Sequence, residues 1–214
     1  MTLTLFHAPL SCSLASRLAL LESGLPHEIK VVHTTRGENL TEAYARINPR
    51  RKVPALVTAE GVITESTAIL PYIADRAPER ALLPSPGTYA RAQAQAWLGF
   101  LSSTVHAAFS PALFPERIVS EPAAAEALRA SALETLVKAL TELDSHLSDR
   151  QFLLEAFSLC DLYALVFSLW RGAPALAGRL PALVHLDAYQ MRLMGRPGLM
   201  PIIGEDMAAR AAAA

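Results

Sequence analysis

The most constraining feature of this sequence is the stretch from residue 48 to residue 72, in which a strand begins at a proline. Residues 53–57 have the apolar, β-branched character of a strand, and Pro54 stands near its start. Proline has no N–H to donate to a neighbouring strand, so it belongs at the first residue of a strand or at a sheet edge. A Glu-Gly turn at 60–61 and a return strand at 62–64 complete a predicted hairpin.

A helix is predicted directly after this hairpin. Glu65 and Ser66 precede an apolar stripe that begins at Ile69 and repeats at helical spacing. The first N–H groups of a helix are free and attract carboxylates. Val53, which precedes the proline, is restricted to extended backbone and offers an unpaired edge. The stretch therefore combines a backbone edge, a helix N-terminus and a carboxylate, which together could hold a small peptide by its carboxylate and its amine.

The elements before this stretch predict an α/β domain. Residues 2–6 alternate as a strand does, and residues 14–21 repeat at helical spacing before a stop at Gly24. A second strand is predicted at 28–32 and a short helix at 40–47. The order strand, helix, strand, helix, hairpin, helix is the thioredoxin-like order and predicts a small mixed sheet.

The composition changes near residue 80, where Pro78, Pro84, Pro86 and Gly87 predict a linker. No strand pattern follows it. Predicted helices cover residues 88–109, 123–147, 158–170 and 181–193, with a short one after residue 197. We therefore predict a thioredoxin-like α/β domain over residues 1–80 and an all-helical domain over residues 87–214.

Charge and composition exclude several classes of function. The 19 basic residues face 20 acidic ones and form no long run, which argues against a nucleic-acid partner. The best apolar run, at 162–170, is too short to cross a membrane, and no signal peptide is visible. The histidines show no metal-ligand spacing. Cys12 and Cys160 lie far apart, which suits a reducing cytoplasm, and we expect a cytoplasmic protein without a metal.

Two short motifs contain the cysteines. Cys12 lies between the first strand and the first helix, and a thiol at a helix N-terminus is expected to have a lowered pKa. The alternative interpretation is a buried cysteine beside a serine N-cap. Ala15 stands where thioredoxins have a second cysteine, so no dithiol cycle is expected there. Cys160 lies within Ser158-x-x-Asp161, a predicted capping box, and is predicted to be a core residue.

Taken together, these motifs resemble the cytosolic glutathione S-transferases, and the bacterial beta class in particular. Residues 9–14 and 18–20 resemble the start of beta-class enzymes, whose cysteine faces the glutathione sulfur. Residues 97–100 with His106 resemble the stretch whose histidine reaches the glutathione site. The resemblance spans nearly the whole chain, and it implies that glutathione is a co-substrate.

The resemblance also implies a set of site residues. Those expected to bind glutathione are Lys52, Val53, Pro54, Glu65 and Ser66. The Val53 backbone should pair with the cysteinyl moiety, Glu65 and Ser66 should hold the γ-glutamyl end, and the bond before Pro54 should be cis. The catalytic candidates are Ser11, Cys12, Ser13 and His106. The sequence departs from the beta pattern at His7, where a tyrosine is usual, and at Ala107, where a lysine is usual.

The expected activity is a detoxifying conjugation of the glutathione thiolate to small hydrophobic electrophiles. The electrophile should lie against the helical domain, near Ala107, Phe109, Leu113 and Phe114, and a homodimer is expected from the resemblance. One alternative is glutathione-dependent thiol–disulfide exchange through Cys12. Another is a non-catalytic binding module with the same fold, which would not bind glutathione.

Overall fold

A computed structural model describes residues 2–212, and its first part is built on a four-stranded mixed sheet. The strands are β1 (Leu3–His7), β2 (His27–Val31), β3 (Ala55–Val57) and β4 (Val62–Thr64), in the order β2-β1-β3-β4. β1 runs parallel to β2 and antiparallel to β3, and β3 pairs with β4 as a hairpin. The predicted thioredoxin-like domain is therefore confirmed.

Three helices pack on this sheet. They are α1 (Leu14–Ser23), α2 (Glu42–Ala45) and α3 (Ser66–Arg76). α1 ends as predicted at Gly24, which takes φ +67° and donates its N–H to the carbonyl of Leu21 at 3.2 Å. The apolar side chains of α1 pack between α3 and the helical domain, so the two parts of the chain share one continuous core.

The second part of the chain is helical, as predicted. Its helices are α4 (Tyr89–Phe100), α5 (Ala107–Leu113), α6 (Pro122–His146), α7 (Leu159–Trp170), α8 (Val184–Met194) and α9 (Leu199–Ala211). A π-helical segment, Leu101–His106, joins α4 to α5, so one long helix extends beyond the end predicted at residue 109. π-Helical turns occur often at functional sites, and this one ends at a catalytic candidate.

Two helix boundaries were predicted wrongly, and tertiary contacts explain both. α8 begins at Val184 rather than at residue 181, and the N–H of Leu186 in its first turn is donated to the Asp144 carboxylate of α6 at 2.8 Å. α9 has 13 residues and is not a short helix. Its inward-facing Asp206 is 1% exposed and bonds to the end of β1, which anchors the helix along the first domain.

The capping box at the start of α7 forms as predicted. Asp161 is completely buried and accepts the backbone N–H of Ser158 at 2.7 Å. The same carboxylate accepts the N–H of Leu153 at 2.9 Å and the hydroxyl of Tyr189 at 2.7 Å. Cys160 is fully buried, which confirms its prediction as a core residue. Among residues 2–212, no helix is both long enough and apolar enough to cross a bilayer.

Candidate active site

Ser13, the residue before α1, lies in a buried hydrogen-bond network. Its side chain is fully buried, and its hydroxyl oxygen accepts the N–H of Ala8 at 3.0 Å. The hydroxyl oxygen of Ser11 lies 2.6 Å from that of Ser13, and Nδ1 of His7 lies 2.8 Å from it. His7 is fully buried as well, whereas Ser11 is half-buried. The hydroxyl of Ser11 is therefore the part of this network nearest to an incoming ligand.

The network continues into the helical domain through Asp206 of α9. The Asp206 carboxylate oxygens lie 2.9 and 3.0 Å from Nε2 of His7, although the two residues are 199 positions apart. Arg17 also donates to this carboxylate, and Glu205 accepts a second bond from Arg17. Burial raises the pKa of Asp206, but the bond from His7, the charge of the His7 ring in its protonated form, the bond from the Leu10 N–H and the charge of Arg17 outweigh burial and hold that pKa below its usual value.

The loop between β1 and α1 is held by the helical domain at a residue with unfavourable backbone geometry. Leu10 has φ +55°, in the left-handed region that a leucine rarely adopts. Its N–H is donated to Asp206 and its carbonyl accepts Nε1–H of Trp170, both at 2.8 Å. Both backbone polar groups of this residue therefore bond to the second domain, which fixes the position of Ser11 and Cys12 beside it.

The structure corrects the expected reactivity of Cys12. Its side chain is half-buried, and its Sγ lies 3.5 Å from the carbonyl oxygen of Val53. Burial and, more weakly, the charge of Glu65 raise the pKa of the Cys12 thiol to about 12, because nearby backbone N–H groups and Lys52 offset these effects only in part. The expectation of a lowered pKa is wrong, because the desolvation of a thiolate here exceeds the stabilisation from the start of α1.

We therefore expect Cys12 to react slowly in the folded protein. With a pKa of about 12, only roughly 10⁻⁵ of the thiol is ionised at neutral pH. Alkylation by iodoacetamide, followed by peptide mass spectrometry, should label Cys12 much more slowly than a free cysteine, and the rate should rise with pH. Cys160, whose pKa burial also raises to about 12, is the internal control, and denaturant should expose both. Rapid labelling of Cys12 in the native protein at neutral pH would contradict this assignment.

The predicted backbone edge is present at Val53 and Pro54. The peptide bond between them is cis, as the resemblance implied. Lys52, just before them, has an exposed side chain, and its carbonyl accepts the Tyr44 hydroxyl and the Asn48 side-chain amide, each at 2.7 Å. The chain is thus fixed on one side by these bonds, while the half-buried Val53 faces Cys12.

Glu65 and Ser66 stand at the start of α3, as predicted. Glu65 takes φ +71°, and its carbonyl accepts the first helical bonds, from Ala68 and Ile69. Its side chain is exposed and lies 3.2 Å from Nη1 of Arg50. Ser66 is 6% exposed, and its side chain lies within hydrogen-bond distance of the Tyr163 hydroxyl.

His106 and Tyr163 approach this region from the helical domain. The His106 ring, at the end of the π-helical segment, packs against Phe167 and Trp170 with centroid distances of 5.4 and 5.3 Å. Burial lowers the pKa of His106, and the charge of Glu65 opposes this. Burial raises the pKa of the Tyr163 hydroxyl, and the nearby Cys12 contributes to this increase. A hydrogen bond with the Ser66 side chain offsets part of it.

The structure brings the predicted residues around one region. Glu65 acts electrostatically on Cys12, His106 and Tyr163, and Cys12 contacts Val53. Among residues 2–212, four non-glycine residues have a positive φ, and three of them flank this region: Leu10, Arg51 and Glu65. Unfavourable backbone geometry clusters at functional sites, which supports a site here.

Three of the residues in this region were not predicted as site residues. The sequence marks His7 only as a departure from a family pattern, although a histidine at the end of a predicted strand, four and six positions before two serines, could have indicated a polar site. Asp206 and Tyr163 give no local signal, because each reaches the site only through the packing of the helical domain.

Two open grooves lie on the surface formed by the helices. One, of about 410 Å³, is lined by Thr67, next to Ser66, and by Ser102. The other, of about 300 Å³, lies between α6 and the end of the π-helical segment and is lined by small residues that include Ala107 and Ala108. Of the four residues predicted to line an electrophile site, Ala107 is exposed, Leu113 and Phe114 are half-buried and Phe109 is fully buried.

Comparisons with known proteins agree with this geometry. Residues 11–76 match the family model for the glutathione S-transferase N-terminal domain, which covers the cysteine loop through α3. The chain is 31% identical over 206 residues to glutathione S-transferase GstA of Escherichia coli O157:H7, and the match covers 94% of this chain and 98% of that protein.

Solved structures are similar over the same extent. A glutathione S-transferase from Xylella fastidiosa superposes with a TM-score of 0.86 at 27% identity, covering 95% of this chain and 98% of that one. A sphingomonad glutathione S-transferase complexed with glutathione gives a TM-score of 0.81 at 34% identity, with the same coverage of both chains.

Proposed function

The chain belongs to the glutathione S-transferase family, and we propose that it conjugates the thiolate of glutathione to small hydrophobic electrophiles at the site described above. One observation carries this proposal: the cis Val53–Pro54 edge, the start of α3 and the loop before α1 converge, with Cys12 Sγ 3.5 Å from the Val53 carbonyl. A relative of similar length is named a glutathione S-transferase, and a structural neighbour was solved in complex with glutathione.

Glutathione would lie along Val53 with its cysteinyl backbone in extended form. A ligand strand added to an exposed edge gains main-chain hydrogen bonds, and side chains beside it provide specificity. The Cys12 thiol donates only a long, weak hydrogen bond to the Val53 carbonyl oxygen. A peptide N–H of the ligand would replace the thiol as donor at little cost in free energy. Lys52 and Pro54 set the direction of this edge.

The γ-glutamyl end would lie at the start of α3. Its carboxylate suits the N–H groups of Ser66 and Thr67, which precede the first helical bonds, because a helix N-terminus attracts anions. Its ammonium suits the carboxylate of Glu65, whose present partner, Arg50, is exposed and forms only one contact with it. The ligand ammonium would thus replace an exposed guanidinium.

The sulfur would then face the loop of Ser11, Cys12 and Ser13, with His106 across the site. The site must turn a thiol with an ordinary pKa of about 8.5 into a thiolate at neutral pH. The thiol of the half-buried Cys12 is protonated at neutral pH, which favours the serine hydroxyls as the groups that contact the sulfur. This also disfavours thiol–disulfide exchange through Cys12 as the main activity. The electrophile would enter from the helical domain, near the groove lined by Ala107.

The oligomeric state and the domain boundaries remain predictions. We propose a homodimer in the cytoplasm, because this assembly is typical of the family. The division into residues 1–80 and 87–214 stays a prediction, and it places the linker between α3 and α4.

The proposal predicts that the protein binds glutathione and forms a thioether. Isothermal titration calorimetry should show binding at or below millimolar glutathione, and mass spectrometry should detect the glutathione adduct of an activated aryl chloride. S-methylglutathione should bind and yield no product. No binding at millimolar glutathione would favour the binding module, whereas disulfide exchange without thioether formation would favour the redox alternative.

A further inference from the structure

We propose that Ser11, Ser13, His7 and Asp206 form a proton relay that takes the thiol proton of bound glutathione into the protein interior. The relay rests on the proposed function, since it requires the glutathione sulfur to lie beside Ser11. Ser11 touches the reacting thiol and is catalytic in this scheme. Ser13, His7 and Asp206 act through it and are positioning residues.

The resting proton arrangement follows from the contacts. A carboxylate only accepts hydrogen bonds, so Nε2 of His7 must carry the proton donated to Asp206 at 2.9 Å. In the tautomer that carries its proton on Nε2 alone, Nδ1 is an acceptor, and the Ser13 hydroxyl donates to it at 2.8 Å. Ser13 has one proton, so in the 2.6 Å contact between the serines Ser11 must donate to Ser13. The Ser11 oxygen accepts the N–H of Ser13 and has a lone pair left for an incoming thiol.

Proton transfer reverses the hydrogen bonds that join the sulfur, Ser11, Ser13 and Nδ1 of His7, while Nε2 of His7 continues to donate to Asp206. The thiol gives its proton to the Ser11 oxygen as Ser11 passes its own to Ser13, and Ser13 passes its proton to Nδ1 of His7. Each hydroxyl loses one proton and gains one, so the products are a thiolate and an imidazolium. His7 then donates to Ser13, Ser13 to Ser11, and Ser11 to the thiolate. The same bonds that remove the proton thus stabilise the anion that remains.

The charges around His7 suit the acceptance of a proton. The facing charged groups are Asp206, from α9, and Arg17, from α1, which shares the Asp206 carboxylate. Arg17 would oppose a second positive charge, but it is also paired with Glu205. The carboxylate of Asp206 is ionised, because its pKa lies below the usual value, so an imidazolium would form beside a negative charge.

Burial gives this network a direction. His7 is fully buried and Asp206 is 1% exposed, while Ser11 is half-buried. A proton can therefore enter the network from the Ser11 side, where the sulfur would lie. A purely structural role would be satisfied by the bond between His7 and Asp206 and would not need two serine hydroxyls in line with it.

The first test compares the ionisation of glutathione bound to variants at saturating concentration. Asp206→Asn keeps the size of the side chain and removes the charge that stabilises the imidazolium. His7→Asn keeps an acceptor for Ser13 but cannot take a proton. In both, the ultraviolet thiolate absorbance of bound glutathione at neutral pH should fall, and kcat should fall by roughly 10²- to 10⁴-fold, the usual contribution of general acid–base catalysis. The rate should recover at higher pH, and KM for glutathione should change little.

Glu22→Gln is the matched control. Glu22 pairs with Arg196 at 3.1 Å and, like Asp206, joins α1 to the C-terminal part of the chain, but it lies outside the relay. This variant should leave the thiolate absorbance unchanged. If Asp206→Asn lowers the melting temperature but not the thiolate fraction, the network is structural and the relay is wrong.

The second test reads the protonation of His7 directly. ¹⁵N-histidine NMR should show His7 neutral in the free protein and doubly protonated with glutathione, with the signal assigned by its loss in His7→Asn. S-methylglutathione, which has no thiol proton, should leave His7 neutral. The same His7 state with both ligands would overturn the relay. A wild-type protein that binds no glutathione would instead overturn the proposed function.

Discussion

Replacing Asp161 with alanine should destabilise the protein by about 3–5 kcal/mol, because several buried donors lose their acceptor at a cost of about 1–3 kcal/mol each. The side chain is completely buried and its carboxylate accepts bonds from Ser158, Leu153 and Tyr189. Burial raises the pKa of Asp161, and these bonds oppose that rise. Without the carboxylate, the Leu153 N–H and the Tyr189 hydroxyl are left buried without this acceptor, so the loss exceeds that of an ordinary helix cap.

Urea unfolding of the two single variants, Asp161→Ala and Ser158→Ala, separates the contribution of the helix cap from that of the bonds to Leu153 and Tyr189. Ser158→Ala removes one half of the capping box and should cost only about 0.5–2 kcal/mol. Glutathione affinity of the folded protein should barely change in either variant, because the Asp161 carboxylate bonds to Ser158, Leu153 and Tyr189 and not to the glutathione-binding residues. Equal and small losses for both substitutions would show that Asp161 does not connect α7 to Leu153 and Tyr189 in solution.

Ser66→Ala should weaken glutathione binding by about 1–3 kcal/mol, or roughly 5- to 150-fold in Kd. Ser66 is buried at the start of α3, where it would hold the γ-glutamyl carboxylate, and its hydroxyl also acts on Tyr163. Glu65→Gln should weaken binding over the same range, because it removes the partner of the ligand ammonium while keeping the shape of the side chain.

Calorimetry with two control measurements makes this prediction specific. Glu60→Gln removes an exposed carboxylate from the turn of the same hairpin and should leave Kd unchanged. The melting temperature of Glu65→Gln should stay near that of the wild type, since its ion pair with Arg50 is exposed and such pairs contribute little. Unchanged glutathione affinity in both Ser66→Ala and Glu65→Gln would remove the assigned γ-glutamyl site.

Features set by neighbouring residues could be predicted from the sequence. The hairpin at Val62–Thr64, the stop of α1 at Gly24 and the capping box at Ser158 depend on local turn and cap chemistry. The mixed sheet followed from the order of strands and helices. The cis bond before Pro54 required the resemblance, because most bonds before proline are trans.

Features set by tertiary packing could not be predicted. The pKa of Cys12 depends on how completely the fold desolvates its sulfur, which no local motif reveals. The length of α9 and the role of His7 depend on a bond to Asp206 across 199 positions of the chain. The start of α8 depends on an acceptor, Asp144, supplied by another helix. In each case a polar group finds its partner only after the two parts of the chain have packed together.

We claim that glutathione binds along Val53 with its sulfur beside the hydroxyl of Ser11. A crystal structure of the complex with glutathione tests this claim most directly. We expect the γ-glutamyl end at Glu65 and Ser66 and the sulfur within hydrogen-bond distance of the Ser11 oxygen, with Cys12 unmodified. A disulfide between glutathione and Cys12, or a sulfur directed away from Ser11, would contradict the claim.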